Sequence, residues 1–360
     1  MSAIPEFSHE RVLTSMGARS GLVITVALHS SALGPALGGC RMWSYPIWAD
    51  GQADALRLSA AMTLKNAAAG LDAGGGKSVI ALPMGEALDP DRRRAALLDL
   101  GDLVDALDGR YRTAEDVGTT EHDMLVVRER TEHVVGLPAE SGGAGEPAGA
   151  TALGVFSAIA PTLGEAFGSE QIEGRSFVIS GLGQVGGRLA RMLAGHGAEL
   201  IVTDIDERKR QLADELGARW IAPEAALSTP ADVLVPAGLG GILTDEAIDA
   251  LPVRAVVGPA NNPLADRSGA ARLQERGIVY APDFVVNAGG VIHLEGMAHG
   301  QEWPAIAERL TGIADTVRGV LASARERGIT PLAAAEALAA ARIDAARGSR
   351  APSARTAVVV

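Results

Sequence analysis

The chain has 360 residues, enough for two domains of ordinary size, and its 47% hydrophobic content supports full cores. A net charge of −12 argues against nucleic-acid and acidic-membrane partners. Cys40 is the only cysteine, so no intramolecular disulfide forms, and the opening MSAIPEFSHERV has no apolar signal core; a cytoplasmic protein is expected. Of the 32 cations only Lys65, Lys77 and Lys209 are lysines; the rest are arginines. Arginine keeps its proton at any usable pH, whereas a buried lysine can lose it, so Lys65 and Lys77, 12 residues apart, raise a question of chemistry.

In chain order, Gly21–Leu28 (GLVITVAL) reads as a strand, and a loop carrying Pro35 and Gly38–Gly39 follows. Residues 52–69 read as a helix, Lys77–Leu82 as a strand, 90–107 as an amphipathic helix opened by Pro90, and Tyr111–Thr113 as a short strand before a loop with Asp116. Residues 141–150 (SGGAGEPAGA) are expected to be the hinge between domains. The next section alternates strands (176–180, 199–203, 218–221, 232–235, 254–258 and 278–281) with helices, the pattern of a doubly wound, mostly parallel sheet. Helices are expected at 303–323 and 331–346, then a loose tail, SRAPSARTAVVV. The long uncharged stretches 21–40 and 147–164 are broken by Gly and Pro and do not read as membrane spans. The seven histidines are scattered without ligand spacing, so no metal site is expected.

Gly181, Gly183 and Gly186 form G-x-G-x-x-G between a strand and a helix, and Asp204 ends the next strand. The glycines permit a tight turn and close approach to a pyrophosphate, and an acid at Asp204 suits a free adenine-ribose 2′-hydroxyl, which favours NAD over NADP. Arg208 and Lys209 nearby weaken that preference slightly. Pro236–Gly241, Gly258–Asn262 and Asn287–Gly290 are small-residue segments placed to line the same crevice.

Leu58, Ala61, Met62 and Lys65 share one apolar helix face, which aims Lys65 at a core or pocket. Lys77 follows three glycines, where a ligand or backbone can approach closely. One lysine suits a substrate carboxylate, the other a general base, with Asp116 opposite to exchange protons. The bland alternatives are a snorkelling Lys65, an exposed strand-start Lys77 and a turn acid at Asp116. Gly76-Lys77-Ser78 is not the end of a P-loop: the required upstream glycine is replaced by Leu71, and a strand follows.

Taken together, GPALGGCR (34–41), MTLKNA (62–67), GGGKSVIAL (74–82), TAEDVGTT (113–120), SGLGQVG (180–186), GPANN (258–262) and NAGGVIHL (287–294) resemble the glutamate/leucine/phenylalanine/valine dehydrogenase family. The resemblance implies an α/β substrate-binding and oligomerisation domain (1–145), a Rossmann-type NAD domain (146–325), a cleft between them, and a C-terminal helical segment (326–360) packing back towards the first domain. It implies a homo-oligomer that reversibly deaminates an L-amino acid oxidatively, to a 2-oxo acid and ammonia. Lys65 would bind the substrate carboxylate, Lys77 would act as base on the attacking water, and Asp116 would handle protons at the amino group. Gly38 and Gly39 match the backbone beside the substrate, and Asn261 an amide near both carboxylate and nicotinamide. Gly181, Gly183, Gln184, Val185, Gly186, Asp204, Ala237, Ala260, Asn261 and Asn287 would hold NAD.

The resemblance places Leu37, Ala73, Ala114, Val291 and Leu294 around the substrate side chain. None is charged, so the distal carboxylate of glutamate would lack a partner. Leu37, Ala114 and Val291 resemble the leucine and valine members, whereas HLEG (293–296) and SGGAGEP (141–147) resemble phenylalanine members; Ala73 would enlarge the pocket. The expectation is an apolar amino acid, branched-chain first and phenylalanine second. Two other classes compete: a non-catalytic NAD-binding protein, and hydride transfer on a 2-hydroxy acid with His293 as its candidate base.

Overall fold

The computed structural model describes residues 8–349. The tail expected to be loose lies, from residue 350, outside them. Two compact units divide the chain. One runs to Gly145 and resumes at Ala337; the other is Glu146–Glu336.

The first unit is built from β1 (Arg11–Met16), β2 (Val23–Ser30), β3 (Ala36–Tyr45), α1 (Trp48–Ala68), β4 (Gly74–Pro83), α2 (Pro90–Asp105), β5 (Tyr111–Glu115) and α3 (Glu121–Arg128). Its sheet has the order β1-β2-β4-β3-β5; β1 and β2 pair antiparallel, as do β2 and β4, while β3 runs parallel to both neighbours. One face of the sheet carries a core of Ile24, Val26, Ile80 and Tyr111, closed by Leu97, Leu100 and Val104 of α2 and Met124 of α3. Asp89 caps α2 by accepting the Arg92 N–H, with Pro90 in the first turn, and Thr120 and Asp123 form a reciprocal capping box on α3.

Several local expectations change. The loop expected at Gly38–Gly39 is the interior of β3, and the triple glycine 74–76 opens β4 rather than preceding it. Lys77 therefore lies inside a ten-residue strand, not at a strand start. The strand expected at 21–28 is β2 (Val23–Ser30), flanked by β1 and β4, so the edges of the sheet are β1 and β5. Helix α1 buries Gly51, Ala55, Ser59, Thr63 and Asn66, whereas Leu58, Ala61, Met62 and Lys65 are half-buried. The cause is the glycines beneath it: a Cβ on Gly75 would stand 2.2 Å from the Thr63 nitrogen. Small residues on both sides let helix and strand meet closely, so the small, polar face goes inward.

The second unit contains α4 (Ala148–Phe167), β6 (Ser176–Ser180), α5 (Gln184–Gly195), β7 (Glu199–Thr203), α6 (Arg210–Glu215), β8 (Arg219–Trp220), β9 (Val233–Pro236), α7 (Asp245–Ala250), β10 (Ala255–Val256), α8 (Gly269–Glu275), β11 (Val279–Tyr280), α9 (Asp283–Val286), α10 (Gly289–Ala298), α11 (Trp303–Thr311) and α12 (Ile313–Arg327). A final helix, α13 (Pro331–Ser349), begins in this unit and ends in the first. All six strands are parallel in the order β11-β10-β9-β6-β7-β8. Counted from β6 as the first strand, that is the doubly wound 3-2-1-4-5-6 order, reversing direction between β6 and β9. The stretch 141–150 is not hinge throughout, because α4 starts at Ala148. By length and apolarity α4 passes for a membrane-crossing helix, but it is the packing axis of this unit, touching α5, α10, α11 and α12.

Candidate active site

In the first unit the parallel ladder between β3 and β4 is interrupted. Leu37 pairs with Gly75 and Cys40 with Ser78, but Gly38 and Gly39 have no partner on β4. A Cβ on Gly38 would lie 1.8 Å from the Gly76 carbonyl oxygen, and one on Gly76 would meet the Tyr111 ring at 2.7 Å. The opened backbone is pinned by side chains instead. The Tyr111 hydroxyl donates to the Gly38 carbonyl at 2.6 Å, and Asn66 Nδ2 donates to the carbonyls of Gly74 (2.6 Å) and Leu37 (3.3 Å). Both residues are fully buried, and burial raises the tyrosine's pKa, which keeps it a donor.

Lys77 sits at this opening, 5% exposed, with its Nζ 2.9 Å from Asp116 Oδ2. Asp116 follows β5, and its backbone N–H is held by Thr119 Oγ1 at 3.0 Å. Gly39 makes room for it, since a Cβ there would stand 2.9 Å from the Asp116 Cβ. Burial pushes the Asp116 carboxyl up, but the charges of Lys77 and Arg41 outweigh it and hold the group below its ordinary value. Arg41 Nε donates to the same Oδ2 at 3.1 Å, a contact that the sequence did not reveal. The Cys40 thiol, fully buried, is pushed up to about 12 by burial and is no nucleophile.

Of the predicted substrate residues, Leu37, Gly38, Gly39, Lys65, Lys77, Ala114 and Asp116 lie in the first unit. Leu37 and Ala114 are buried and uncharged. Met62, on the half-buried face of α1 that carries Lys65, has its Cγ 3.3 Å from where a Cβ on Gly38 would be. Ala73 is fully buried just before β4. Asn261, Val291 and Leu294 belong to the second unit: Asn261 is exposed, Val291 and Leu294 lie three residues apart on α10.

The fingerprint of the second unit forms the turn from β6 into α5. Gly181 has φ +114°, and a Cβ on Gly186 would stand 2.1 Å from the Gly181 oxygen. At Gly183 a Cβ would meet nothing within 4 Å, so space lies open in front of the helix N-terminus, where a pyrophosphate fits. Gln184 and Val185 begin α5. Asp204, just past β7, accepts the Leu182 N–H on Oδ2 (2.6 Å) and the Asp206 N–H on Oδ1 (2.8 Å), which locks the acid against the glycine turn. A Cβ on Gly181 would crowd the Ala237 carbonyl at 2.8 Å, so the ends of β6 and β9 converge there. Asn287 is 6% exposed, and its Nδ2 donates to the Pro259 carbonyl (3.1 Å) and to Asn261 Oδ1 (3.0 Å). Its own Oδ1 is buried without a hydrogen-bond partner among the described residues, an acceptor that a carboxamide N–H would satisfy. Ala260 is buried beside this pair. Residues 287–290 form the junction of α9 and α10. These residues fit a nicotinamide dinucleotide.

Residues 14–133 match the model of the Glu/Leu/Phe/Val dehydrogenase dimerisation domain, and residues 201–350 match that of glutamate/leucine/phenylalanine/valine dehydrogenase. The chain is 40% identical over 349 residues to a leucine dehydrogenase of Geobacillus stearothermophilus, covering 96% of this chain and 94% of that protein. The chain belongs to the glutamate/leucine/phenylalanine/valine dehydrogenase family. It is likewise 40% identical to a valine dehydrogenase of Streptomyces albus, covering 95% of this chain and 94% of that protein. The structure of an L-tryptophan dehydrogenase from Nostoc punctiforme superposes with a TM-score of 0.81 at 33% identity, covering 95% of this chain and 98% of that one. The chain is thus an amino acid dehydrogenase, an oxidoreductase of a family that generally uses nicotinamide cofactors. That displaces the non-catalytic and 2-hydroxy-acid readings.

Proposed function

We propose that this amino acid dehydrogenase oxidises apolar L-amino acids with NAD, branched-chain substrates before phenylalanine, to the 2-oxo acid and ammonia. The observation that carries the reading is the pairing of buried Lys77 with half-buried Asp116 at 2.9 Å, beside the uncharged Leu37 and Ala114. Lys65 holds the substrate carboxylate. Asp116 takes a proton from the amino group, and the bound nicotinamide supplies the hydride acceptor for Cα. Lys77, once its ammonium has given up its proton to solvent, removes a proton from the water that adds to the imine carbon. Asp116 returns a proton to the nitrogen, Lys77 passes its proton to solvent and takes that of the carbinolamine hydroxyl, and the C=O bond forms as ammonia leaves.

Two features support NAD: the carboxylate of Asp204 locked at the glycine turn, and the buried acceptor of Asn287. The substrate preference draws support from the leucine and valine dehydrogenase relatives at 40% identity and from Leu37 and Ala114. A side chain with a distal carboxylate would meet no partner at those two residues. The description of the first matched segment as a dimerisation domain supports a homo-oligomer, which we place in the cytoplasm and which sedimentation would measure.

The test is NADH absorbance at high pH with a panel of L-amino acids and with NAD and NADP in parallel. Leucine and valine are expected to lead, and phenylalanine to follow. No turnover with leucine, valine, isoleucine, methionine or phenylalanine rejects the reading.

A further inference from the structure

Asp116 is held by more than Lys77. Both Lys77 Nζ and Arg41 Nε bond the same oxygen, Oδ2, at 2.9 and 3.1 Å. Oδ1 accepts no described hydrogen bond. Arg41 is itself anchored: its Nη1 bonds Asp54 Oδ2 at 2.9 Å, and the Tyr45 hydroxyl donates to that same oxygen at 2.8 Å. Arg57 pairs with the other oxygen of Asp54. The chain Tyr45–Asp54–Arg41–Asp116–Lys77 thus joins β3, α1, the turn after β5 and β4.

Each link has a structural cause. Arg41 follows the glycines of β3, so it emerges where the ladder to β4 resumes. Asp54 stands on the same half-buried face of α1 as Leu58, Met62 and Lys65, four, eight and eleven residues on. A guanidinium presents donors in a fixed planar fork, so clamping one side by Asp54 fixes the direction in which Nε points.

We propose that Arg41 is a positioning residue for the reaction: held by Asp54 and Tyr45, it clamps Oδ2 of Asp116 so that Oδ1 faces the substrate amino group. The proposal rests on the reading of Asp116 as the group that exchanges protons with that nitrogen. A carboxylate with both donors on one oxygen can rotate little, and its second oxygen is presented in a set direction. The second effect is electrostatic. The charged and titratable groups around Asp116 are Lys77 on β4, Arg41 and Cys40 on β3, Tyr111 on β5, and Glu115 beside it, with Asp54 reached through Arg41. Lys77 and Arg41 are the cations in contact with it, and both favour the ionised acid; Lys65 of α1, read above as holding the substrate carboxylate, is kept in every variant. Loss of Arg41 removes one of them, so the acid ionises at higher pH and its rotation is freed.

The experiment compares the full-length enzyme with Arg41→Gln, Arg41→Lys, Tyr45→Phe and Asp116→Asn, measuring kcat, KM for the amino acid, and the pH profile of kcat/KM. Arg41→Gln is expected to lower kcat by about 10- to 100-fold, part of the 10²–10⁴ that a positioned acid–base group contributes, with KM changed less than about threefold. Its acidic limb is expected to move to higher pH. Arg41→Lys is expected to restore the limb more than the rate, because an ammonium supplies the charge without the fork. Tyr45→Phe, which loosens Asp54 alone, is expected to shift both in the same direction by less. An Arg41→Gln limb that coincides with that of the wild type, or a loss confined to KM, overturns the proposal. Should Arg41→Gln not fold, Tyr45→Phe decides: an unmoved limb and rate overturn it. Asp116→Asn separates the two levels. Retained turnover there means that the catalytic reading of Asp116 fails; its loss with an unmoved Arg41→Gln limb means that only the positioning role fails.

Discussion

Lys77 Nζ lies 2.9 Å from Asp116 Oδ2, and Lys77 is 5% exposed in the interior of a strand. A buried cation in that setting is stable only with its partner in place, so the two side chains form one unit. Arginine would preserve the charge but not the capacity to take a proton from water. Lys77→Arg is therefore expected to leave a folded protein that binds NAD and turns over at least about 10²-fold more slowly, the lower bound for a lost general base. NADH production by the purified variant, with circular dichroism as the folding control, measures this. Near-normal turnover would exclude Lys77 as the base.

Gly39 is the clearest case of a residue whose missing side chain matters. A Cβ there would stand 2.3 Å from the Glu115 carbonyl oxygen and 2.9 Å from the Asp116 Cβ. Gly39→Ala is expected to push the turn after β5 away and to lower both melting temperature and kcat. Gly319, inside α12, is the control, because a Cβ at that position meets nothing within 4 Å. Gly319→Ala is expected to raise stability by up to about 1 kcal/mol and leave turnover unchanged. Thermal melts and steady-state rates of the two variants check both outcomes. Equal behaviour would remove the steric argument.

The same glycines explain where sequence reading fell short. Alternation of small and apolar residues in ALGGCRM reads as a loop, because glycine weakens any strand signal. Yet β3 needs glycine there, since the Gly76 carbonyl occupies the space of a Gly38 side chain. On α1 the fully buried face differs from the apolar one for the same reason: apolar periodicity picks large residues, while contact with the strand beneath selects Gly51, Ala55, Ser59 and Thr63. The six-stranded sheet was legible, because strands 176–180 and 199–203 are apolar, regularly spaced and bounded by turn residues. Lys77 and Asp116 stood out by residue type and setting. Arg41 did not, since one arginine among so many carries no signal and its partner lies 75 residues away.

Asp99 makes a stability prediction away from the active site. It is 5% exposed on α2 and accepts the Ser20 N–H (2.9 Å), the Ser20 hydroxyl (2.8 Å) and the Arg19 guanidinium (2.9 Å), which ties down the turn between β1 and β2. Burial pushes its carboxyl up, but Ser20 and Arg19 outweigh burial and hold it below the ordinary value. A folded pKa below the unfolded one stabilises the fold above the unfolded value of about 3.9, and the contribution fades as pH falls through the folded pKa. Asp99→Asn is expected to cost about 1–3 kcal/mol at pH 7. The gap to wild type should be constant down to about pH 5 and shrink below about pH 4. Urea midpoints at a series of pH values measure it. A gap that widened on acidification would contradict the assigned direction.

Asp204 carries the cofactor prediction. Its two oxygens each accept a backbone N–H, from Leu182 and Asp206, so the carboxylate is fixed at the glycine turn rather than swinging in solvent. A fixed anion there accepts a ribose hydroxyl and repels a 2′-phosphate. Two cations stand close along the chain: Arg208, paired with Asp206 and largely exposed, and Lys209; both line a groove with Gly183 and Gln184. Asp204→Asn keeps the size of the side chain and removes the charge. Hydrogen bonds to a charged group contribute about 1.5–3 kcal/mol, so kcat/KM with NAD is expected to fall about 10- to 100-fold. With NADP the repulsion disappears while Arg208 and Lys209 remain, so kcat/KM is expected to hold or rise, and the NADP-to-NAD ratio to increase by at least about tenfold. Adding Lys209→Ala to that variant should cut the NADP gain and leave NAD use as it was. Steady-state assays with both cofactors at constant ionic strength test this, and a ratio unmoved by Asp204→Asn would remove Asp204 from the cofactor site.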